Sequence, residues 1–540
     1  MGLSIKSMNK NLGYYLLIIV IITFFIHTYK LNCVAEDAFI SFRFAKNLAN
    51  GYGLTWNIGE PPVEGYTNFL WVILCALAIK LEINVTTFAQ IGGVFSSFLI
   101  IFYTLRYATK FLNCKIMHAL IPCIFLALSG PFATWASSGM EINFFCLLIL
   151  IACYYFVSFW QFNKSKDLLI CFVSLFIATL TRPEGLLIVI ILIILSSVLY
   201  LEQKKNFVRD FLFFLLLYVA PFSIYFTWRL KYFGFLFPNT FYAKVTNELS
   251  QYLRGTIYCG YFFVYFVFPL LFLLIFLIWE KGFPVGIGII DFKFVRTNMR
   301  KQVALYVCGF ICLFYTLYII YVGGDYMAMY RFFVPILPLI YIIFLAPVTN
   351  ALLVSATDFL RKRIIIVGML ILAAGATLIH STPLEKKLFR KPPFQHGHFR
   401  GVQTERWHTA RLSMIGKFFN EYKNSNNESL ATAAIGVISF YADMRIYDFY
   451  GIVDTQIAHK QMNGMGLGFP GHEKRDIIYL LSRRPTYFMF TRELSNEPMN
   501  YPSYNENADK MIRENYKLTS IWMVDRENGE EGYFSFLELK

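Results

Sequence analysis

Apolar stretches of membrane-spanning length recur through the first 380 residues, and the strongly polar islands between them can all be placed on one side of a bilayer. The islands are Glu36-Asp37, Glu141, Arg182 with Glu184, Arg229 through Lys244, and Asp325 through Arg331. The same side carries the more polar C-terminal part of the chain. Acids and bases gathered at one end of an apolar helix bundle point to a site at the membrane surface. Such a site suits a substrate with a charged head and a lipid tail.

Composition agrees with a polytopic α-helical membrane protein. Of 540 residues, 57% are hydrophobic and only 15% are charged, against about 25% charged in soluble domains. The net charge of +15 sits largely in short loops between apolar runs, such as Lys204, Lys205 and Arg209, or Arg361, Lys362 and Arg363. The positive-inside bias accounts for those clusters. No nucleic-acid motif competes, so nucleic acid is excluded as a partner and membrane lipid expected as one. The ten cysteines lie at or before Cys312, which leaves the C-terminal part without a disulfide framework.

A spanning helix needs ~20 mostly apolar residues. Eleven candidates follow: 12–29, 87–108, 116–131, 142–160, 167–181, 185–201, 210–230, 256–278, 302–322, 332–349 and 364–380. The run 67–81 is short, closed by Lys80 and Glu82, and is taken as a juxtamembrane helix. With the basic loop 361–363 inside, loops 279–301, 202–209, 161–166 and 106–115 also fall inside, and each is basic. Loops 132–140, 181–184, 231–255 and 323–331 then fall outside with everything after 380, and the N-terminus is cytoplasmic. In the outer loop 30–66, residues 36–49 have the pattern of an interfacial helix. Domain 1–380 is therefore the membrane domain, and 381–540 a separate α/β domain. In the latter, 403–422 reads as an amphipathic helix, 430–437, 445–450 and 486–491 as strands, 473–483 as a helix, and 517–539 as a strand pair around Asn528-Gly529. Gly436 and Gly451 make no GxGxxG fingerprint. The histidine-bearing stretch with His396, His398 and Arg400 is a polar linker.

Each island has two readings. Glu36 and Asp37 are helix-start charges that favour the dipole, or a general base, or carboxylates that bind substrate or a divalent cation. Glu141 opens an apolar span, where an acid facing lipid is disfavoured, so it faces a polar cavity unless it is a simple helix-start acid. Arg182 and Glu184 form a structural ion pair or belong to a site. Arg229, Lys231 and Lys244 stand outside, against the insertion rule; they snorkel or bind an anion such as phosphate. Gly323-Gly324 permits close backbone approach, with Asp325 and Arg331 as head-group ligands or as parts of a plain turn. No cofactor is required by these patterns.

Taken in order, these stretches resemble the GT-C superfamily of polyprenyl-phosphate-dependent glycosyltransferases, and within it the AftB-like, terminal arabinofuranosyltransferase branch. They are EDAFISFRFAKNLANGYGLTWN (36–57), VEGYTNFLW (63–71), SSGME (137–141), TRPEG (181–185), WRLKYFGFLFPNTFYAK (228–244), GGDYMAMYRFFVPILPL (323–339), IGVISFYADMRIYDFYGIVD (435–454) and GHEK (471–474). Relatives usually carry two aspartates where this chain has Glu36-Asp37, which favours Asp37 as the catalytic acid. The resemblance implies a multi-pass enzyme of the bacterial inner membrane with a periplasmic C-terminal domain. It would move a sugar from a polyprenyl-phosphate-linked donor to a hydroxyl of a glycan or lipid-linked acceptor. By that analogy Asp37 activates the acceptor hydroxyl. Arg43, Arg182, Arg229, Lys244 and Arg331 are candidates for the donor phosphate, with Glu141 and Asp325 for sugar or acceptor contacts. The competing class is a lipid or glycolipid transporter or flippase, which would place ionisable groups nearer the bilayer midplane, often in repeated halves.

The basic-loop parity predicts an exoplasmic C-terminus. A periplasm-active reporter fused after Lys540 should be active and one fused near Lys204 silent; the reverse pattern would overturn the one-sided placement of the islands.

Overall fold

The computed structural model describes residues 2–201, 206–267, 292–353, 359–379, 401–425 and 427–540. Lys204, Lys205, most of the expected inner loop 279–301, the linker with His396 and His398, and the expected domain boundary at 380/381 lie outside the described residues.

Each expected apolar run carries a helix. In order these are α1 (Gly2–Lys30), α2 (Ala38–Ala49), α3 (Phe69–Lys80), α4 (Val85–Phe111), α5 (Ile116–Leu128), α6 (Gly130–Ala136), α7 (Ile142–Phe162), α8 (Ser165–Thr181) and α9 (Gly185–Tyr200). Next come α10 (Phe207–Phe214) and α11 (Ala220–Phe233), joined by a π-helical turn at Leu215–Val219. Pro221 has no amide to offer the Leu217 carbonyl one turn back, and a widened turn accommodates that loss. Then follow α12 (Asn239–Lys244), α13 (Leu249–Phe262), α14 (Phe292–Tyr321), a 3-10 turn at Arg331–Ile336, α15 (Leu337–Leu353) and α16 (Phe359–Ile379).

Among the described residues, five helices are long and apolar enough to cross a membrane: Asn11–Lys30, Val85–Phe111, Ile142–Phe162, Phe207–Phe233 and Gln302–Tyr321. The pair α5 and α6 makes a sixth if one counts it as a single span broken by a 65° bend. The eleven-span count is not confirmed, because runs such as α9 and Ile366–Leu378 are too short to span unaided. The bend falls at Ser129-Gly130-Pro131, where Pro131 is tolerated only in the first turn of a new helix. Exposed Ile18, Ile19 and Ile22 on α1 form a face suited to lipid.

Helix α2 corrects the expectation of an interfacial helix. Its residues Ala38 through Ala45 are all buried, because α3 covers one side and a helix of the C-terminal domain the other. An amphipathic pattern cannot say what lies on the polar face.

The C-terminal domain opens with α17 (Val402–Tyr422) and continues through β1 (Ser429–Thr432), α18 (Ile435–Ala442), β2 (Arg445–Asp448), α19 (Thr455–His459), α20 (Ile477–Ser482), β3 (Tyr487–Phe488), α21 (Glu506–Asn515), β4 (Tyr516–Asp525) and β5 (Glu530–Leu539). The sheet order is β2-β1-β3-β5-β4. β1 runs parallel to β2 and β3, while β5 is antiparallel to β3 and β4. The strand expected over 430–437 therefore stops at Thr432. Parallel neighbours need a crossover, and Ile435–Ala442 supplies it as a helix; a short buried apolar run does not distinguish the two states.

Buried polar contacts fasten this domain to the bundle. Arg43 of α2 donates to the carbonyls of Ser439 at 2.7 Å, Met444 at 2.9 Å and Trp56 at 3.1 Å, and to Asn57 Oδ1 at 3.2 Å. Asn57 in turn exchanges two 3.0 Å bonds with the Ile446 backbone. Asn239 donates to the carbonyls of Gly451 and Ile452 at 2.7 and 3.0 Å. Arg254 reaches Gly468 O at 2.9 Å and Glu473 at 3.1 Å.

Arg43→Met would strand several buried acceptors. Hydrogen bonds to charged groups contribute about 1.5–3 kcal/mol each, so the variant should lose about 3 kcal/mol or more of unfolding free energy, read by denaturant titration in detergent. A loss under about 1 kcal/mol would show that Arg43 does not fasten the domains.

Candidate active site

Five chain reversals meet at the end of the bundle that carries the C-terminal domain. They are the entry to α2, the α6–α7 link, the α8–α9 link, the α11–α12 loop and the turn after α14. Between them lies a cavity of about 490 Å³. Asp37, Glu141, Arg182, Glu184, Lys244, Asp325 and Arg331 line it. Seven of the eleven charged residues singled out from sequence thus line one cavity, although they come from segments nearly 300 residues apart.

The acids and arginines of that wall are paired. Arg331 lies between two aspartates: Nη1 meets Asp37 Oδ2 at 2.9 Å, Nη2 donates to Asp325 Oδ1 at 3.1 Å, and Nε lies against the other Asp325 oxygen. Arg182 bridges Glu141 at 2.5 Å and Glu184 at 2.7 Å. The second Glu141 oxygen accepts from Asn68 at 2.6 Å, and Asn68 also bonds Ser41 of α2. Lys244 has no carboxylate partner among the described residues, yet its charge reaches Asp37.

Local backbone geometry positions Arg331. Met329 and Tyr330 both take left-handed conformations, at φ 59° and 44°, a state that disfavours ordinary side chains. Trp135 of α6 donates to the Ala328 and Met329 carbonyls at 3.2 Å each, which holds the turn in place. Gly323 and Gly324 also have positive φ, and a β-carbon at Gly324 would meet the Tyr258 ring.

The pair Glu36-Asp37 is divided by its surroundings. Burial acts to raise the Asp37 pKa, but the charges of Arg331 and Lys244 outweigh it and hold the carboxyl below its ordinary range. Burial, and then the Asp37 charge, push Glu36 up to about 8, against the Gly436 and Val437 amides. The two carboxyls are pushed in opposite directions, Asp37 down and Glu36 up, the separation expected of two close acids. Glu36 does not line the cavity of Asp37. Its Oε1 accepts from the Gly436 amide at 2.5 Å, at the start of α18, and a β-carbon at Gly436 would run into Glu36.

Two expected phosphate ligands are engaged elsewhere. Arg43 serves the domain junction. Arg229 makes a two-pronged ion pair with buried Glu64, Nε at 2.9 Å, and donates to Leu236 O at 2.9 Å and Phe235 O at 3.3 Å. Neither arginine lines the cavity. Sequence reasoning missed Glu64 and Asn68, although both lie in VEGYTNFLW; the available signal was an acid and an amide in the same outer region as unpaired cations. It also missed His472 in GHEK. Burial lowers that imidazole to about 4, so it is neutral, and its ring packs 4.8 Å from Tyr326 and 4.6 Å from Tyr450. Among the described residues, no group of three or more His, Cys, Asp or Glu side chains is arranged to hold a metal ion.

The other half of the cavity is apolar. Leu186, Leu187 and Ile190 of α9, with Phe241, Val322 and Phe332, complete the lining. Leu186 and Ile190 are 41% and 46% exposed, so the cavity runs from an ionic end to an exposed apolar helix.

These features define a multi-pass helical membrane protein with an α/β domain seated over an ionic cavity. Residues 400–536 match the model of a "Domain of unknown function (DUF8728)". No curated protein matches the chain. Two solved structures of ArnT from Cupriavidus metallidurans are similar to it. One, bound to undecaprenyl phosphate, has 12% identity and a TM-score of 0.49; the other, in the apo state, has 11% and 0.48. Each alignment covers 81% of this chain and 86% of that one.

Arg229→Gln would leave Glu64 buried without its counter-charge. We expect a loss of about 3–5 kcal/mol in stability, with Glu64→Gln/Arg229→Gln recovering part of it in the same unfolding assay. A single variant as stable as the parent would return Arg229 to the list of free cations.

Proposed function

We propose that the chain is a membrane glycosyltransferase that takes a sugar from a polyprenyl-phosphate-linked donor and passes it to a hydroxyl of a glycan or lipid-linked acceptor. The GT-C class, the AftB-like branch, an arabinofuranosyl donor and an exoplasmic active site are parts of the same proposal. The observation that carries it is the two-sided cavity, with an acid of depressed pKa and a lysine without a carboxylate partner among the described residues at one end and an exposed apolar wall at the other. A donor with a phosphate head and a prenyl tail matches both ends.

In this reading the prenyl tail lies along α9 and the phosphate meets Lys244. Asp37 takes the proton of the acceptor hydroxyl while its oxygen bonds to the anomeric carbon. The bond between that carbon and the phosphate oxygen breaks, and polyprenyl phosphate leaves with both bonding electrons. Lys244 stabilises the charge that develops on the leaving phosphate. Arg331 keeps Asp37 ionised, with Asp325 fixing Arg331 from behind. Arg182, Glu141 and Glu184 form a second ionic group that can contact sugar hydroxyls. Glu36, held by the Gly436 amide at the start of α18, aligns the C-terminal domain over the site.

Asp37→Asn should abolish transfer in a protein that still folds, a loss of about 10²–10⁴-fold for a general base, while Glu36→Gln should do less. Lys244→Gln should weaken binding of undecaprenyl phosphate by about ten-fold or more. Near-normal turnover by the Asn variant, or full affinity in the Gln variant, would remove that residue from its role.

A pH profile tests the link to Arg331. Asp37 must be ionised to act, so activity is present above its depressed pKa and falls as pH drops through it. The acid limb of kcat/KM should therefore lie below the ordinary Asp value of about 3.9. Arg331→Gln removes the larger of the charges that oppose burial, leaves Lys244 alone against it, and should move the limb to higher pH. An unmoved limb would separate Arg331 from the ionisation of Asp37.

A further inference from the structure

Strand β4 is the outer edge of the C-terminal sheet, and one stretch of that edge is open. In an antiparallel ladder the two residues of one pair exchange amide and carbonyl, and those of the next pair turn both outward. Tyr533 bonds Ser495 through its amide and its carbonyl, and the Leu539 amide bonds Thr486, all on the side of β5 away from β4. Their cross-strand neighbours, Trp522 and Tyr516, therefore turn their own backbone groups away from β5. By alternation so do Leu518, Ser520 and Val524. The Tyr501 hydroxyl covers the first part of this edge, accepting from the Leu518 amide at 3.1 Å and donating to the Tyr516 carbonyl at 3.5 Å. Among the described residues, nothing outside β5 bonds the backbone of Ser520, Trp522 or Val524.

The open stretch lacks the protection of solvent-facing edges. Those carry lysine, proline or a bulge, whereas residues 518–524 hold no charge and no proline, and their register with β5 is unbroken. Trp522 and Val524 are 49% and 50% exposed. They lie on the face opposite Ile521 and Met523, which pack on the core shared with the bundle. Trp522 meets Tyr533 edge-on, with ring centroids 5.1 Å apart. Unpaired main-chain groups beside an aromatic and an aliphatic side chain are the parts that hold an added strand.

We infer that the open β4 edge pairs with the β4 edge of a second copy of this chain, joining the two sheets into one. The stretch is symmetric about Trp522. An antiparallel copy thus sets Trp522 against the partner's Trp522, and Ser520 against the partner's Val524, the self-matching contact of a two-fold dimer. A register centred nearer Leu518 would meet Tyr501, and one centred beyond Val524 would meet the turn after Asp525. The ends agree in charge, since Lys517 comes toward the partner's Glu527, and both are exposed.

The membrane agrees with that symmetry. The two-fold axis of such a pair is perpendicular to the sheet. On one side of the sheet α17 packs against β5 and β3, with Phe418 6.1 Å from Phe534 and Phe419 5.4 Å from Tyr487. On the same side α18 packs against α2, with Phe440 5.5 Å from Phe39. Rotation about the sheet normal leaves both bundles on that side, so both can occupy one bilayer. A second copy is the occupant that satisfies the symmetry of the edge and the one-sided bundle together. The inference is independent of the transferase reading.

The test uses the full-length protein in lipid vesicles at low density, with copies carrying a donor or an acceptor dye at the C-terminus. Energy transfer between parent copies should exceed the level set by chance encounters. Val524→Pro removes an outward amide, a place where an edge strand tolerates proline. It should weaken self-association about ten-fold or more, because each copy loses a bond. Trp522→Lys should also weaken it. Both side chains are half exposed, so the unfolding midpoint of each variant should stay at the parent value. With a short bifunctional thiol reagent, Trp522→Cys should give a covalent dimer. Ser520→Cys mixed with Val524→Cys should give one too, while Val524→Cys alone should not. The parent, whose ten cysteines are buried or half-buried, sets the background. Transfer at the chance level in the parent, transfer that both substitutions leave unchanged, or equal cross-linking of Trp522→Cys and Val524→Cys would overturn the inference.

Discussion

The end of the bundle is organised around one guanidinium. Arg331 meets Asp37 at 2.9 Å on one side and Asp325 at 3.1 Å on the other, and it is almost wholly buried. A buried charge without a partner is strongly disfavoured, so the chain must bring the α2 entry and the turn after α14 together before either acid can be buried. The left-handed residues Met329 and Tyr330, and the indole of Trp135 that grips them, place the arginine there. The result at Asp37 is a carboxyl held below its ordinary range despite burial, next to a glutamate pushed above its own.

The other cations divide by whether an acid answers them. Arg43 and Arg229 are consumed by carbonyls, Asn57 and Glu64. Their loss would affect how the domains and loops sit. Arg182 is held by Glu141 and Glu184 on the cavity wall. Lys244, on the same wall, is left to interact with whatever enters. Lysine is suited to that position, because a compact ammonium on a flexible stem can follow a phosphate as it turns from ester to leaving group.

Much of this was legible in the sequence, and the illegible parts share a cause. Runs of about twenty apolar residues identify helices because the bilayer leaves few alternatives. Runs as short as α9, at Gly185–Tyr200, do not say whether they span. Residues from most of the islands line one cavity, as expected where charge near membrane depth must be gathered. Partner choice was not readable, because it is non-local: Arg229 and Glu64 are 165 residues apart, and Arg43 and Ser439 are 396 apart. For the same reason α2 looked amphipathic and proved buried, and the run 430–437 looked like one strand and proved to be a strand followed by a crossover helix. From the residues alone Glu36 and Asp37 are equal, and the resemblance favours Asp37; the Gly436 amide on Glu36 and the place of Asp37 in the cavity lining separate the two acids.

The central claim is that the ionic cavity transfers a sugar from a lipid phosphate. The most direct measurement incubates the purified protein with a panel of polyprenyl-phosphate sugars and a mixed glycan acceptor pool, and reads both sides by mass spectrometry. The account predicts that one donor is converted to free polyprenyl phosphate while an acceptor gains the mass of a single glycosyl residue. If every donor is returned intact, and the protein in vesicles instead carries a labelled lipid-linked sugar across the bilayer, the cavity is a transport path and the account is wrong.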